Sequence, residues 1–323
     1  MFTKIFKSDY IFQLIFILIV SIVLFIYKLN IETTISDFNQ SPISHYFNTL
    51  VSSGSLFIVI LNFSLLVFQS LLFKRVLSSN DLTAKGSLLS SFLYIITIPC
   101  FVNFHIVQPI LFTNLLLIIV LNIILPIYSK PESYENVFNS GALISLASLI
   151  YIPSAIFIIF IFFAFLVYSL FKWREWIISI IGFITPYIIY FGLVFLTDNL
   201  KSELNKYQVF FKTVHIQSIA FNNHQLIFII SIGILFIIST FYTLNKLSER
   251  SIYFRKKTNV FLMFFMCSLT TFIFPSDLIN NHVAFILIPA IYFLSTYISQ
   301  IKNIYISESL YLIIISAVIY NLL

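Results

Sequence analysis

A chain of 323 residues that is 60% hydrophobic and 9% charged falls far below the about 25% charged residues of a soluble domain. At a mean hydropathy of +1.02 no water-soluble fold could cover its apolar surface, so lipid has to act as its solvent. The formal net charge of +6 needs no nucleic-acid partner, because cytoplasmic loops of membrane proteins collect Lys and Arg.

Taken in order, the chain opens with Lys4 and Lys7 and then an apolar run from Ile11 to Tyr27. No small-residue cleavage site follows, which predicts a first membrane helix rather than a removed leader. Eleven candidate spans follow from such runs: 10–28, 55–73, 87–103, 107–128, 138–151, 153–171, 176–196, 226–245, 258–275, 281–300 and 307–323. Pro153 separates the fifth from the sixth, which form either a tight helical hairpin or one long broken element. The seventh is the most explicit. Lys172 and Arg174, flanked by Trp173 and Trp176, precede an uncharged run from Ile177 to Leu196. Basic residues and tryptophans mark a cytoplasmic membrane boundary.

With the N-terminus in the cytoplasm and the spans alternating, the cytoplasmic segments hold Lys4, Lys7, Lys74, Arg75, Lys85, Lys130, Lys172, Arg174, Lys246, Arg250, Arg255, Lys256, Lys257 and Lys302. The outer segments hold Lys28, Lys201, Lys206 and Lys212. One span more or fewer would largely collapse that bias, so the distribution supports both the orientation and the odd count. The expected fold class is therefore an all-α integral membrane protein, a single polytopic domain over residues 1–323.

The outer side has two long segments, Asn30 to Gly54 and Thr197 to Gln225. In the first, Pro42 to Val51 can form a short amphipathic helix on the membrane, with Ile43, Tyr46, Phe47 and Leu50 on one face. All five histidines (His45, His105, His215, His224 and His282) fall on the expected outer side, with Glu32, Asp37, Asp198, Glu203 and Asp277. Any acid–base chemistry is therefore expected there. Asp37 and His45 are the catalytic candidates. The plainer reading makes Asp37 a turn residue in its Ser, Asn and Pro surroundings, and Ser276 or Asp277 a helix cap near His282. Lys201, Lys206, Lys212, Asp277 and His282 are the candidates for holding a substrate. No cofactor motif is evident, and a divalent metal ion at the outer face is compatible with Asp37. Cys100 and Cys267 both sit in apolar runs, which favours neither a disulfide nor a metal site. The span centres carry no Asp, Glu, Lys or Arg, which argues against a proton- or sodium-coupled transporter. Asn62, Gln69, Asn114 and Asn122 are expected to join neighbouring helices by hydrogen bonds.

Three stretches carry a family resemblance: FKWREWIISIIGFITPYIIYF at 171–191, SLIYIPSAIFIIF at 148–160, and the pattern from Arg255 to Pro289. On these the chain resembles an uncharacterised family of polytopic inner-membrane proteins of Bacteroidota, which implies a bacterial inner-membrane location and no particular chemistry. Its layout also looks like that of the GT-C membrane glycosyltransferases, which use lipid-linked sugar donors. In those, span one leads to an outer loop with a catalytic acid. Asp37 is the residue here that matches, with Glu32 second, and no adjacent acid pair is present. This resemblance implies a transferase of the cell envelope, with Asp37 as base or metal ligand and the outer lysines holding a donor phosphate. The alternative is a non-catalytic membrane subunit or assembly factor of an envelope complex, with other envelope membrane proteins as partners. A transporter or flippase comes third.

Overall fold

A computed structural model of the chain describes residues 10–29, 56–84, 86–102, 104–105, 107–129, 134–170, 172–212, 223–274, 279–301 and 303–322. Among these residues the protein is all-α. In chain order the helices are α1 (Tyr10–Leu29), α2 (Leu56–Ser79), α3 (Leu89–Thr97), α4 (Pro109–Ile124), α5 (Tyr134–Ile150), α6 (Phe157–Tyr168), α7 (Trp173–Leu196), α8 (Leu200–Lys212), α9 (Asn223–Asn245), α10 (Ile252–Thr270), α11 (Ile279–Gln300) and α12 (Ile304–Leu322). Five of them are long and apolar enough to cross a membrane: α2, α7, α9, α11 and α12. Shorter apolar helical stretches run over Ile11–Tyr27, Leu89–Cys100, Pro109–Ile124 and Ile152–Tyr168. The protein is a multi-pass membrane protein.

Local sequence sets the breaks. Pro109 opens α4, where a missing N–H costs nothing. The Ser251 hydroxyl caps α10 by accepting from the Phe254 amide. Ser169, at φ 61°, ends α6, and the Leu170 amide donates back to the Phe165 carbonyl. Pro153 lies in a 3-10 turn, Ile152–Ile156, between α5 and α6. Those two helices pack on each other, so the hairpin is the form taken.

At the centre is α11, packed against α3, α4, α9 and α10. Aromatic rings fill the space around it: Phe285 lies 5.3 Å from Phe157, and Phe261 stacks on Tyr292 at 4.1 Å. Buried polar side chains find partners across helices. The Gln69 amide donates to the Leu111 carbonyl and its oxygen accepts from the Tyr94 hydroxyl, each at 2.8 Å. The Asn62 amide donates to the Phe104 carbonyl at 3.1 Å. Tyr292 and Thr258 share a hydrogen bond of 2.8 Å. Asn114 is buried, but neither atom of its side-chain amide has a hydrogen-bond partner among the described residues, and Asn122 is exposed.

The closest seam joins α5 to α7 and is made of small residues. A Cβ on Gly141 would lie 2.3 Å from the Ser179 carbonyl oxygen, and one on Gly182 would lie 2.3 Å from that of Phe138. Glycine at both positions is what lets the two backbones touch. The Ser140 hydroxyl turns onto its own helix, while that of Ser148 also reaches across the seam to the Tyr187 hydroxyl of α7.

Contacts gather the helix ends into two sets. At one, Lys257 donates to the Asn80 carbonyl, Lys256 lies 4.2 Å over the Tyr128 ring, and Tyr242 packs edge-on to Tyr297. At the other, Phe101 packs on Phe228, His224 on Tyr320, and Tyr151 on His282. The first set is rich in Lys and Arg. The second carries α8.

Candidate functional site

The polar groups of the second end are organised by α8. Asp198, at φ 57°, turns the chain sharply after α7, and the Asn199 amide donates back to the Val194 carbonyl. Asp tolerates that left-handed conformation better than most residues. In α8, Glu203, Tyr207 and Phe210 recur at helical spacing on one face, and Lys201, Ser202 and Leu204 are exposed. The buried face leans on α7 and on the segment before α11. Phe191 lies 5.8 Å from Tyr207, and Phe210 stacks on Phe274 at 6.0 Å.

Glu203 is 8% exposed and held from two sides. The Tyr190 hydroxyl donates to its Oε2 at 3.0 Å, and the Lys206 ammonium pairs with its Oε1. Next to this pair, the buried hydroxyl of Tyr207 has no hydrogen-bond partner among the described residues. Burial, then the neighbouring Tyr187, Tyr190 and Glu203, push the Tyr207 phenol up, so it stays a neutral donor. Tyr187, one turn before Tyr190, shares a 2.6 Å hydrogen bond with Ser148 of α5. Chemically, this is a fixed carboxylate with an ammonium and a phenol donor beside it, a set able to orient a hydroxyl or a phosphate ester.

His282 belongs to a second cluster at the same end. It is 1% exposed, with ring nitrogens 3.4 and 3.5 Å from the Tyr151 hydroxyl and its ring 5.3 Å from Phe272. Residues 272–274 join the two clusters: Phe274 stacks on Phe210, and the Phe272 ring lies 5.3 Å from that of His282. Of the residues singled out from the sequence, Lys206 is paired with Glu203, Lys201 is exposed on α8, and Lys212 is the last residue of that helix. Asp37, His45 and Asp277 lie outside the described residues, as does the Pro42 to Val51 segment. Among the described residues no three His, Cys, Asp or Glu side chains are gathered together.

The sequence reading counted Glu203 among the outer acids and passed over Tyr190 and Tyr207 entirely. It also treated Thr197 to Gln225 as one long segment, where residues 200–212 form a helix. The usable signal was the spacing of Glu203, Tyr207 and Phe210, with Lys206 three residues after Glu203.

The family comparison covers the whole chain, over residues 1–323. The chain belongs to the DUF6427 family, described as a family of unknown function. No curated protein and no solved structure matches it. Membership of DUF6427 carries no reaction with it, so the chemistry has to be argued from the α8 end itself.

Proposed function

We propose that this DUF6427 protein is an eleven-span protein of the bacterial inner membrane, N-terminus inside, that acts at its outer face as a GT-C-like transferase on a lipid-linked donor. In this orientation the Lys- and Arg-rich helix ends face the cytoplasm and α8 lies on the outer surface. The observation that carries the reading is the Glu203 cluster. A carboxylate fixed by Tyr190 and Lys206, with the Tyr207 hydroxyl beside it, is set at the end of the bundle where the charge bias places the outside. Asp37 serves as base or metal ligand, with His45 assisting, and Lys201 and Lys212 attract the donor phosphate.

The test replaces the chromosomal copy with Asp37→Asn or with Glu203→Gln and compares envelope glycans and growth with a deletion, at matched protein level. Variants that match the deletion support the transferase. Variants that behave as wild type, beside a deletion with a defect, remove it. The non-catalytic subunit would then lead. A separate observation favours that second reading: only 17% of the α7 span is buried within the chain, which leaves a long apolar face for lipid or for another membrane protein.

A further inference from the structure

An apolar groove of about 630 Å³ lies between α9, α10 and α11. Its lining runs from Phe228 to Ile237 on α9, from Phe265 to Phe272 at the end of α10, and from Val283 to Ala290 on α11. These stretches lie mostly in the half of each helix nearer the α8 end; on α9 the lining passes the helix midpoint by about one turn, to Phe236 and Ile237. Nine residue steps along α9 correspond to about 14 Å of helix. Half of a bilayer's hydrocarbon core is about 15 Å. The groove therefore matches the depth of one leaflet and stops near the middle of the membrane. A partner's transmembrane helix would need a trough about twice as long.

Two further features describe what fits. Gly233 faces open space: a Cβ built there would meet nothing within 4 Å. At the polar end, Phe272 is at once a wall of the groove and a ring packed 5.3 Å from that of His282. A molecule lying in the groove thus has its apolar part along Gly233 and its polar end next to His282 and Tyr151, at the end that carries α8.

From the groove's depth, its one-leaflet position and this polar end we infer that it holds one hydrocarbon chain of a membrane lipid, its head group at the α8 end. This deepens the reading above by giving the lipid part of a donor its seat, and it rests on the orientation proposed there.

The full-length protein is placed in vesicles of phosphatidylethanolamine and phosphatidylglycerol. A trace of phosphatidylethanolamine carries a diazirine midway along one acyl chain. After illumination, labelled residues are mapped by mass spectrometry. The expected label concentrates on the groove stretches of α9, α10 and α11, saturates with unlabelled lipid, and falls about fivefold or more in Gly233→Trp. It is unchanged in Gly192→Trp, an equally open position on α7 outside the groove. Where Gly233→Trp lowers the unfolding temperature, Ile237→Trp replaces it, at a rim position that is 58% exposed. Label spread evenly over every lipid-facing helix overturns the inference, as does label that the groove tryptophans leave in place. Crosslinks joining two copies through the groove overturn it too, by naming a second chain as the occupant. Groove labelling that persists beside wild-type glycans in Asp37→Asn and Glu203→Gln would retain the lipid site and remove the transferase. Glycan loss in those variants with unfocused label would do the reverse.

Discussion

Helices α7 and α11 are both long and apolar, and each carries an internal proline, Pro186 and Pro289. Yet 17% of the α7 span is buried and 83% of the α11 span. The buried helix is the more polar one: Asn281, His282, Ser295 and Thr296 are all inside. The exposed helix shows Ile180, Ile184, Ile188 and Leu193 to the outside. In water the more apolar helix would take the core. In lipid the tails are as apolar as isoleucine, so burying such a face gains little, and the interior goes to small residues, rings and polar groups that need partners. The two helices are also fixed by different means. Ring packing on many sides holds α11, whereas α7 is held chiefly by the backbone seam through Gly141 and Gly182, with Trp176 stacked on Phe162 at its start.

The hardest way to break this contrast is at the seam. Gly182→Leu would drive side-chain atoms into the Phe138 backbone, and overpacking costs about 1–3 kcal/mol, more where a backbone has to move. The expected outcome is little or no folded protein recovered from the membrane, measured by solubilised yield and thermal unfolding. On the same helix, Gly192→Leu has open space and should match wild type.

Next comes the ring-packed side. Phe285 on α11 lies 5.3 Å from Phe157 and 5.8 Å from Tyr151, and Phe285→Ala should destabilise by about 3–5 kcal/mol through the cavity it leaves. Ile188→Ala, at a 66% exposed site on α7, should change stability by less than about 0.5 kcal/mol. Equal effects at the two sites, in unfolding measured in detergent, would erase the distinction between the helices.

A smaller loss is expected at the buried polar link between α2, α3 and α4. Gln69→Leu leaves the Tyr94 hydroxyl without its acceptor and the Leu111 carbonyl without its side-chain donor, at about 1–3 kcal/mol. Adding Tyr94→Phe should recover part of that loss, and a double-mutant cycle reads the coupling. The smallest effect lies at α8. Glu203→Gln removes the ionic partner of Lys206, worth about 1 kcal/mol or less to folding. Faster amide exchange confined to residues 200–212, with an unchanged global unfolding temperature, is the expected signature.

Particular residues show how far the sequence could be read. The break at Pro153 was legible because proline acts on its own backbone. The roles of Asn62 and Gln69 as cross-helix donors were legible in kind, since a buried amide in an apolar helix has to find a partner. Their partners were not, because Phe104 and Leu111 each stand 42 residues further on. In the sequence Gly182 is one small residue in the apolar run from Ile177 to Leu196, with nothing nearby to name its partner. Its closest approach is to Phe138, in another helix. At α8 the pairing of Glu203 with Tyr190 crosses the Asp198 turn, whose left-handed backbone sets the angle between the two helices.

By itself, the sequence determined that the chain is a multi-pass, all-helical membrane protein whose apolar runs leave water. That follows from transfer energies that act residue by residue along the chain. Tertiary structure alone decided which faces meet: the Gly141–Gly182 seam, the burial of the more polar α11, and the groove at Gly233. Lipid offers no preference among apolar faces, so the choice falls to backbone approach and side-chain shape between residues far apart in the chain.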